Sequence, residues 1–169
     1  MLAARIPGCR FLDLFAGSGA VGLEAWSRGA GCVYWVESAA PVLKVLKQNI
    51  DACCGSADHV IGLDALRFLK KKGIVDCPFD IVFADPPYDK TVPAHGARHD
   101  QPGQGDGRVR RPWLGAILEA LEESGLISAR GLVVFEQGSK EDCVGYAGWR
   151  IVGDRVYGDS RLRLFLFGE

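Results

Sequence analysis

The chain has 169 residues and a formal net charge of −1, with 48% hydrophobic and 24% charged residues. This composition is typical of a globular domain and excludes a strongly basic protein, so a nucleic-acid substrate would have to meet a local basic patch. Every apolar run falls short of the ~20 residues of a membrane-spanning helix, and the first ten residues lack the apolar core of a signal peptide, so we expect a cytoplasmic protein with no membrane partner.

Strands and helices alternate over most of the sequence. In chain order, the apolar pattern predicts a strand at 9–16, a helix at 20–28, a strand at 32–37, a helix at 41–50, a strand at 59–64, a helix at 65–72, a strand at 79–85, a helix at 113–125 and a strand at 132–139. Repeated β-α units of this kind favour a parallel sheet that is covered by helices on both faces.

The last two predicted strands, at 149–158 and 160–169, are joined by a turn too short for a parallel crossover, so they must pair as an antiparallel hairpin. The expected fold class is therefore α/β: one Rossmann-like domain over residues 1–169, with a mostly parallel sheet and a C-terminal antiparallel hairpin. Residues 89–112 are rich in Gly, Pro and charge, and we expect a loop insertion there, either a lid or a disordered segment.

The cysteines and histidines do not indicate a metal site. Zinc ligands usually come in spaced pairs, but the six cysteines form no C-x-x-C motif, and Cys53 and Cys54 are adjacent. His95 and His99 are four residues apart, but Gly96 and the prolines nearby disfavour the helix that would bring them together. We expect free cysteines and no bound metal.

The segment FLDLFAGSGAVG carries Gly17, Gly19 and Gly22 in the spacing G-x-G-x-x-G, which is typical of dinucleotide sites. In those sites a pyrophosphate approaches the helix N-terminus. Asp13, four residues before Gly17, would repel those phosphates. S-adenosylmethionine has no phosphate and carries positive charge on its ammonium and its sulfur, so the carboxylate favours that cofactor.

Two further acids follow predicted strands. Glu37 ends the second strand, where a carboxylate can accept hydrogen bonds from both ribose hydroxyls of a nucleoside. Asp64 ends the third strand and has two open interpretations: it contacts the adenine amino group, or it only caps the helix that follows.

The motif DPPY, Asp85 to Tyr88, directly follows the fourth predicted strand. Pro86 and Pro87 force the chain out of the sheet and stiffen the turn. The Asp85 carboxylate and the Pro86 carbonyl could accept both N–H bonds of an exocyclic amine and aim its lone pair at a methyl donor. Tyr88 could stack on the base, a contact worth ~1–3 kcal/mol. The base would have to be unstacked first.

With these residues, the sequence resembles the RsmD family of bacterial 16S rRNA guanine-N2 methyltransferases. The resemblance rests on DLFAGSGAVGLEAWSRGA, on VES, on the Asp64 segment, on FDIVFADPPY and on SRLRLFLFGE. It implies a class I methyltransferase fold and methyl transfer from S-adenosylmethionine to the 2-amino group of a guanine in 16S rRNA, within the 30S subunit or its assembly intermediates. It also implies a monomer.

The resemblance assigns roles to individual positions. Asp13, Gly17 and Gly19 would hold the methionine part, Glu37 the ribose and Asp64 the adenine, with Phe15 and Ala65 beside them in the cofactor site; Asp85, Pro86, Pro87 and Tyr88 would hold the target base.

The sequence departs from the family pattern in two places. The family has a segment with basic residues and a helix before the first strand, which we expect this chain to lack. The 89–112 loop is longer than the pattern. It ends near Arg108, Arg110 and Arg111, which we expect to contact RNA phosphates, with the lysines at 70–72 either helping or forming a solvated face.

Three other functions stay open. The first is an adenine-N6 methyltransferase of the same fold, because D-P-P-Y suits any exocyclic amine. The second is an inactive cofactor-binding module in ribosome assembly. The third, an NAD-dependent oxidoreductase, is opposed by Asp13.

Overall fold

A computed structural model describes residues 2–55, 59–75, 78–87, 112–140 and 145–168. After a short 3-10 turn at Ala3–Arg5, the elements in chain order are β1 Arg10–Asp13, α1 Ala20–Ser27, β2 Cys32–Val36, α2 Ala40–Cys54, β3 Val60–Ile61, α3 Ala65–Lys70, β4 Phe79–Ala84, α4 Trp113–Ser124, β5 Ile127–Gly138, β6 Trp149–Tyr157 and β7 Ser160–Phe167.

The strands form one sheet in the order β3-β2-β1-β4-β5-β7-β6. The pairings among β1 to β5 are parallel, whereas β7 runs antiparallel to both β5 and β6. The predicted fold class is confirmed: a mostly parallel sheet with an antiparallel hairpin at one edge. The second strand of the hairpin, β7, pairs with β5, and the first strand, β6, lies at the edge of the sheet.

Both faces of the sheet are buried, and alternate strand residues supply the two cores. Leu12, Val82 and Val133 pack on one face with α3 and α4. Phe11 and Ile81 pack on the other face with α1 and α2. This double covering explains why β1 and β4 are almost continuously apolar in sequence.

Several element boundaries differ from the predictions. Strand β1 ends at Asp13, three residues early, and helix α3 ends at Lys70, two residues early. Helix α2 continues past residue 50 to Cys54 and ends at Gly55, whose φ of 77° suits a residue without a Cβ. Strand β3 keeps only Val60–Ile61. Strand β5 begins at Ile127, five residues early, because an irregularity opposite Phe79 and Ile81 absorbs the extra residues.

The order of the strands creates a switch point between β1 and β4. From β1 the chain first builds outward to β2 and β3, and then returns to place β4 on the other side of β1. The crossovers that leave these neighbouring strands therefore diverge. In sheets of this class, ligands bind in the crevice at the carboxyl ends of those strands.

The described residues can be searched for membrane-spanning helices, metal-ligand clusters and disulfides. No helix in them is long and apolar enough to cross a membrane, and no group of three or more His, Cys, Asp or Glu side chains is placed there to hold a metal ion. The cysteines at 9, 32, 53 and 54 are free thiols. Cys77, Cys143, His95 and His99 lie outside the described residues.

Candidate active site

The glycine turn joins β1 to α1 at the switch point. Gly17 and Gly19 have φ values of 53° and 87°, a left-handed conformation that side chains with a Cβ rarely adopt. Gly22 is required for a different reason: a Cβ there would lie 2.1 Å from Trp35 Nε1. The third glycine therefore lets helix α1 approach the sheet closely, while the first two shape the turn.

Trp35 forms the floor beneath this turn, and its role was missed in the sequence. Its side chain is buried, and its indole N–H has no hydrogen-bond partner. The aromatic ring occupies the space that Gly22 leaves open. A large residue in β2 opposite a glycine of the helix was the only available signal.

Asp13, the last residue of β1, lies beneath the glycine turn and is 1% exposed. Its Oδ2 accepts a hydrogen bond from the Gly22 backbone N–H at 3.0 Å. Burial raises the pKa of Asp13 to about 7; the Gly22 hydrogen bond opposes this rise, and the charges of Asp85 and Glu37 add to it. The carboxyl group therefore anchors the first turn of α1, and a cation nearby would favour its ionised form.

Glu37 follows β2 and braces the same turn from the neighbouring strand. Its Oε2 accepts from the Gly17 N–H at 3.1 Å, and its Oε1 accepts from the Ala39 N–H at 2.7 Å. The half-buried carboxylate keeps further lone pairs on both oxygens for other donors. The structure thus brings together Asp13, Gly17 and Glu37, as the sequence predicted, and adds a direct link between the last two.

Asp64 caps helix α3, as one of its two interpretations required. Its Oδ1 accepts from the Arg67 N–H at 3.1 Å, and its backbone has extended geometry. The next residue, Ala65, is buried in the core. The cap accounts for one carboxylate oxygen, and contact with a cofactor stays a prediction for both residues.

Phe15 supplies an apolar wall beside the glycine turn. Its ring meets the Trp113 ring edge-on, with centroids 5.2 Å apart and planes at 86°. Trp113 begins helix α4, so this contact fixes the start of α4 against the end of β1. Sequence reasoning included Phe15 in the cofactor site but assigned Trp113 only to an amphipathic helix.

Asp85 leaves the sheet directly after β4. The residue is exposed, whereas Pro86 beside it is buried. Desolvation, together with the negative charge of Glu136, raises the pKa of Asp85 to about 6. Tyr88, Arg108, Arg110 and Arg111 lie outside the described residues, so their predicted roles in base stacking and RNA binding stay predictions.

Glu136 was not predicted as a site residue. It lies near the end of β5, one residue beyond Phe135, which pairs with Ala84 of β4. The acid in LVVFEQGS is a weak signal by itself, because its neighbour Asp85 becomes evident only when β4 and β5 are aligned in register.

The lysines at 70–72 lie away from this site. Helix α3 begins at the carboxyl edge of the sheet and runs toward the opposite edge. There, Lys70, Lys71 and Lys72 line a cavity of about 300 Å³ together with Glu123 and Ser124 at the end of α4. Any RNA contact by these lysines would be remote from Asp85.

Comparison with known proteins finds relatives along the whole chain. The family model described as "Conserved hypothetical protein 95" matches residues 1–95. The Escherichia coli K12 protein named "Ribosomal RNA small subunit methyltransferase D" is 30% identical over 165 residues, which are 97% of this chain and 71% of that protein.

Solved structures agree with the fold. The yhhF protein of Escherichia coli has a TM-score of 0.74 and 29% identity, over 99% of this chain and 80% of its own. A protein of Haemophilus influenzae has a TM-score of 0.76 and 26% identity, over 99% of this chain and 92% of its own.

Proposed function

This chain belongs to the family described as conserved hypothetical protein 95, and on that premise we propose that it methylates the N2 amine of a guanine in 16S rRNA, with S-adenosylmethionine as donor. A curated relative that matches 97% of the chain is named a small-subunit rRNA methyltransferase. The observation that carries the proposal is the meeting of two acids at the switch point: β1 and β4 are neighbours in the sheet, and the charge of Asp85 after β4 raises the pKa of Asp13 at the end of β1.

The residues around the glycine turn fit S-adenosylmethionine better than a dinucleotide. Asp13, Glu37 and Asp85 place negative charge at this edge, which favours a cationic ligand and opposes a pyrophosphate. Glu37 has lone pairs to accept ribose hydroxyls while it holds the turn. When bound, the cofactor supplies an electrophilic methyl group on its sulfonium.

The chain's own contribution to the reaction is to hold the accepting amine. The Asp85 carboxylate and the Pro86 carbonyl each accept one N–H of the guanine N2 amine. Since these acceptors are fixed by the turn after β4, the amine lone pair is directed along one line. Tyr88 stacks on the base. Positioning of this kind lowers the entropy cost of reaction and requires no covalent intermediate.

The proposed substrate also defines the partners and the place of action. The target guanine belongs to the 30S subunit or to its assembly intermediates, so the protein works in the cytoplasm, as a monomer. Arg108, Arg110 and Arg111 contact RNA phosphates. Neutralising these three arginines should therefore flatten the salt dependence of RNA affinity. An unchanged slope of affinity against salt concentration would exclude the arginines from the RNA interface.

Calorimetric titration with S-adenosylmethionine tests the cofactor site first. We expect wild-type binding, with the Kd raised about 10-fold or more in Glu37→Ala and in Asp13→Ala, because each variant loses a charged group or its hydrogen bonds. Asp51→Ala, an exposed acid on α2, is the matched control. Equal affinity in all four proteins would contradict the assignment of this pocket.

Methyl transfer to 30S particles, naked 16S rRNA and duplex DNA then tests the reaction. We expect N2-methylguanine in 30S particles and at least a 100-fold loss of turnover in Asp85→Ala, in line with the ~10²–10³ lost when a single positioned polar group is removed from an active site. N6-methyladenine as the product would favour the adenine methyltransferase. Cofactor binding without transfer to any substrate would favour an inactive assembly module.

A further inference from the structure

Glu136 and Asp85 are neighbours across two parallel strands. Ala84, the last residue of β4, pairs with Phe135 of β5. Asp85 and Glu136 each follow by one residue, so they occupy the next row of the sheet. At this separation the negative charge of Glu136 raises the pKa of the Asp85 carboxyl group.

Both acids belong to the same face of the sheet. Side chains alternate along a strand, and Phe83 and Val134, two residues earlier on the two strands, pack in the core beneath α1 and α2. Asp85 and Glu136 continue that alternation. Asp13 is on the same face of β1, but it pairs with Phe83 and therefore lies two residues below the level of Asp85 and Glu136.

The position of Glu136 matters because of what lies beside the amine in a purine. In guanine, the N2 amine is attached to C2, between N1 and N3, and its neighbour on the Watson–Crick edge is N1, which carries a hydrogen and is a donor. In adenine, the atom next to the N6 amine is also N1, but there it is an acceptor. A carboxylate accepts hydrogen bonds and cannot donate them when ionised. It therefore attracts the guanine edge and repels the adenine edge.

We propose that Glu136 selects guanine by accepting its N1–H while Asp85 and Pro86 hold the adjacent amine. This inference rests on the proposed function and adds the group that decides between the two purines. The flipped base is read along its Watson–Crick edge by two acids on adjacent strands. The D-P-P-Y motif alone makes no such choice, since it binds any exocyclic amine.

The test exchanges the acceptor for a group that can also donate. Glu136→Gln has nearly the same shape, and its amide can donate to N1 of adenine. The substrates are 30S particles assembled from 16S transcripts that carry guanine, or adenine in its place, at the position that the wild-type protein methylates. Initial rates on the two particles give a guanine-to-adenine ratio for each protein.

We expect the ratio to fall about 10- to 100-fold in Glu136→Gln, the range that one well-placed base contact provides. Glu136→Asp keeps an acceptor-only group and should retain the preference at a lower rate. Glu123→Gln, an exposed acid at the end of α4, should leave both rates unchanged. A wild-type ratio in Glu136→Gln would overturn the proposal.

A second readout separates this inference from the proposed function. The Kd for S-adenosylmethionine should be unchanged in Glu136→Gln, because the residue is assigned to the base and not to the cofactor. If the wild-type protein methylates neither particle, the proposed function fails. If it methylates guanine and the variant loses only cofactor affinity, the assignment of Glu136 to the base fails.

Discussion

At the scale of single residues, Asp13 has two roles that make opposite demands on folding. Its buried carboxyl group ties β1 to the start of α1 through Gly22, and its negative charge suits a cationic ligand. Burial makes that charge unfavourable, so its pKa rises to about 7. The folded chain therefore binds the Asp13 proton more tightly than the unfolded chain does, and between about pH 4 and 7 stability falls as pH rises.

Asp13→Asn should relieve this penalty. The amide oxygen can still accept the Gly22 N–H, but no charge is buried. We take the difference in free energy of unfolding between the variant and wild type, and expect it to be about 4 kcal/mol larger at pH 8 than at pH 4. Urea unfolding at both pH values measures it.

The same substitution should weaken cofactor binding, because the favourable charge is lost. Asp51→Asn on the exposed side of α2 is the control, and it should show no such pH-dependent difference. If the stability difference between Asp13→Asn and wild type does not change with pH, burial does not raise the pKa of Asp13.

At the scale of elements, helix α3 depends on a cap that is also a candidate ligand. Asp64 accepts the Arg67 N–H, and the helix has only the six residues Ala65–Lys70. Serine can replace aspartate as an N-cap, whereas alanine cannot. Substitution by each in turn therefore separates the two roles that the sequence left open.

Asp64→Ala should destabilise the protein by about 1 kcal/mol, and Asp64→Ser by much less. If the carboxylate binds the adenine amino group, both variants should lose cofactor affinity to the same extent. Thermal unfolding and calorimetry provide the two measurements. Wild-type affinity in Asp64→Ser would leave Asp64 with the capping role alone.

The elements themselves were largely predictable, because apolar periodicity follows directly from burial. Strands β1 and β4 read as continuous apolar runs since both of their faces are covered. The early start of β5 was not predictable, because Ile127 pairs with Phe79 only when the irregularity near Arg130, with a φ of 65°, is allowed. That bend is a property of the pairing and not of the local sequence.

At the scale of the whole molecule, four acids from separate parts of the chain converge on one edge of the sheet. The charges of Glu37 and Asp85 raise the pKa of Asp13, and the charge of Glu136 raises that of Asp85. Motifs identified Asp13, Glu37 and Asp85 in the sequence, since each directly precedes or follows a recognisable turn. Glu136 required the strand register, which no local pattern encodes.

This convergence predicts the pH dependence of methyl transfer. Below about pH 6, the Asp85 carboxyl group is mostly protonated and is a weaker acceptor for the amine N–H, so turnover on 30S particles should fall as pH decreases through 6. Glu136→Gln removes a neighbouring negative charge and should shift this decline to lower pH. Rates measured from pH 5 to 8.5 test it. A profile with no acid decline would exclude the Asp85 carboxylate as the acceptor.

The position of β7 has a consequence for the newly made chain. Strand β5 is paired on one side with β4, but its other edge is covered only by β7, over seven successive residue pairs from Leu132 to Gly138. Among the strands of the described residues, β7 comes last in the sequence and is synthesised after the other six. Until it emerges, a nascent chain presents the apolar edge of β5 to any other strand, the kind of exposure that leads to aggregation. Completion of the sheet therefore waits until β7 has been synthesised, and the growing chain needs protection until then.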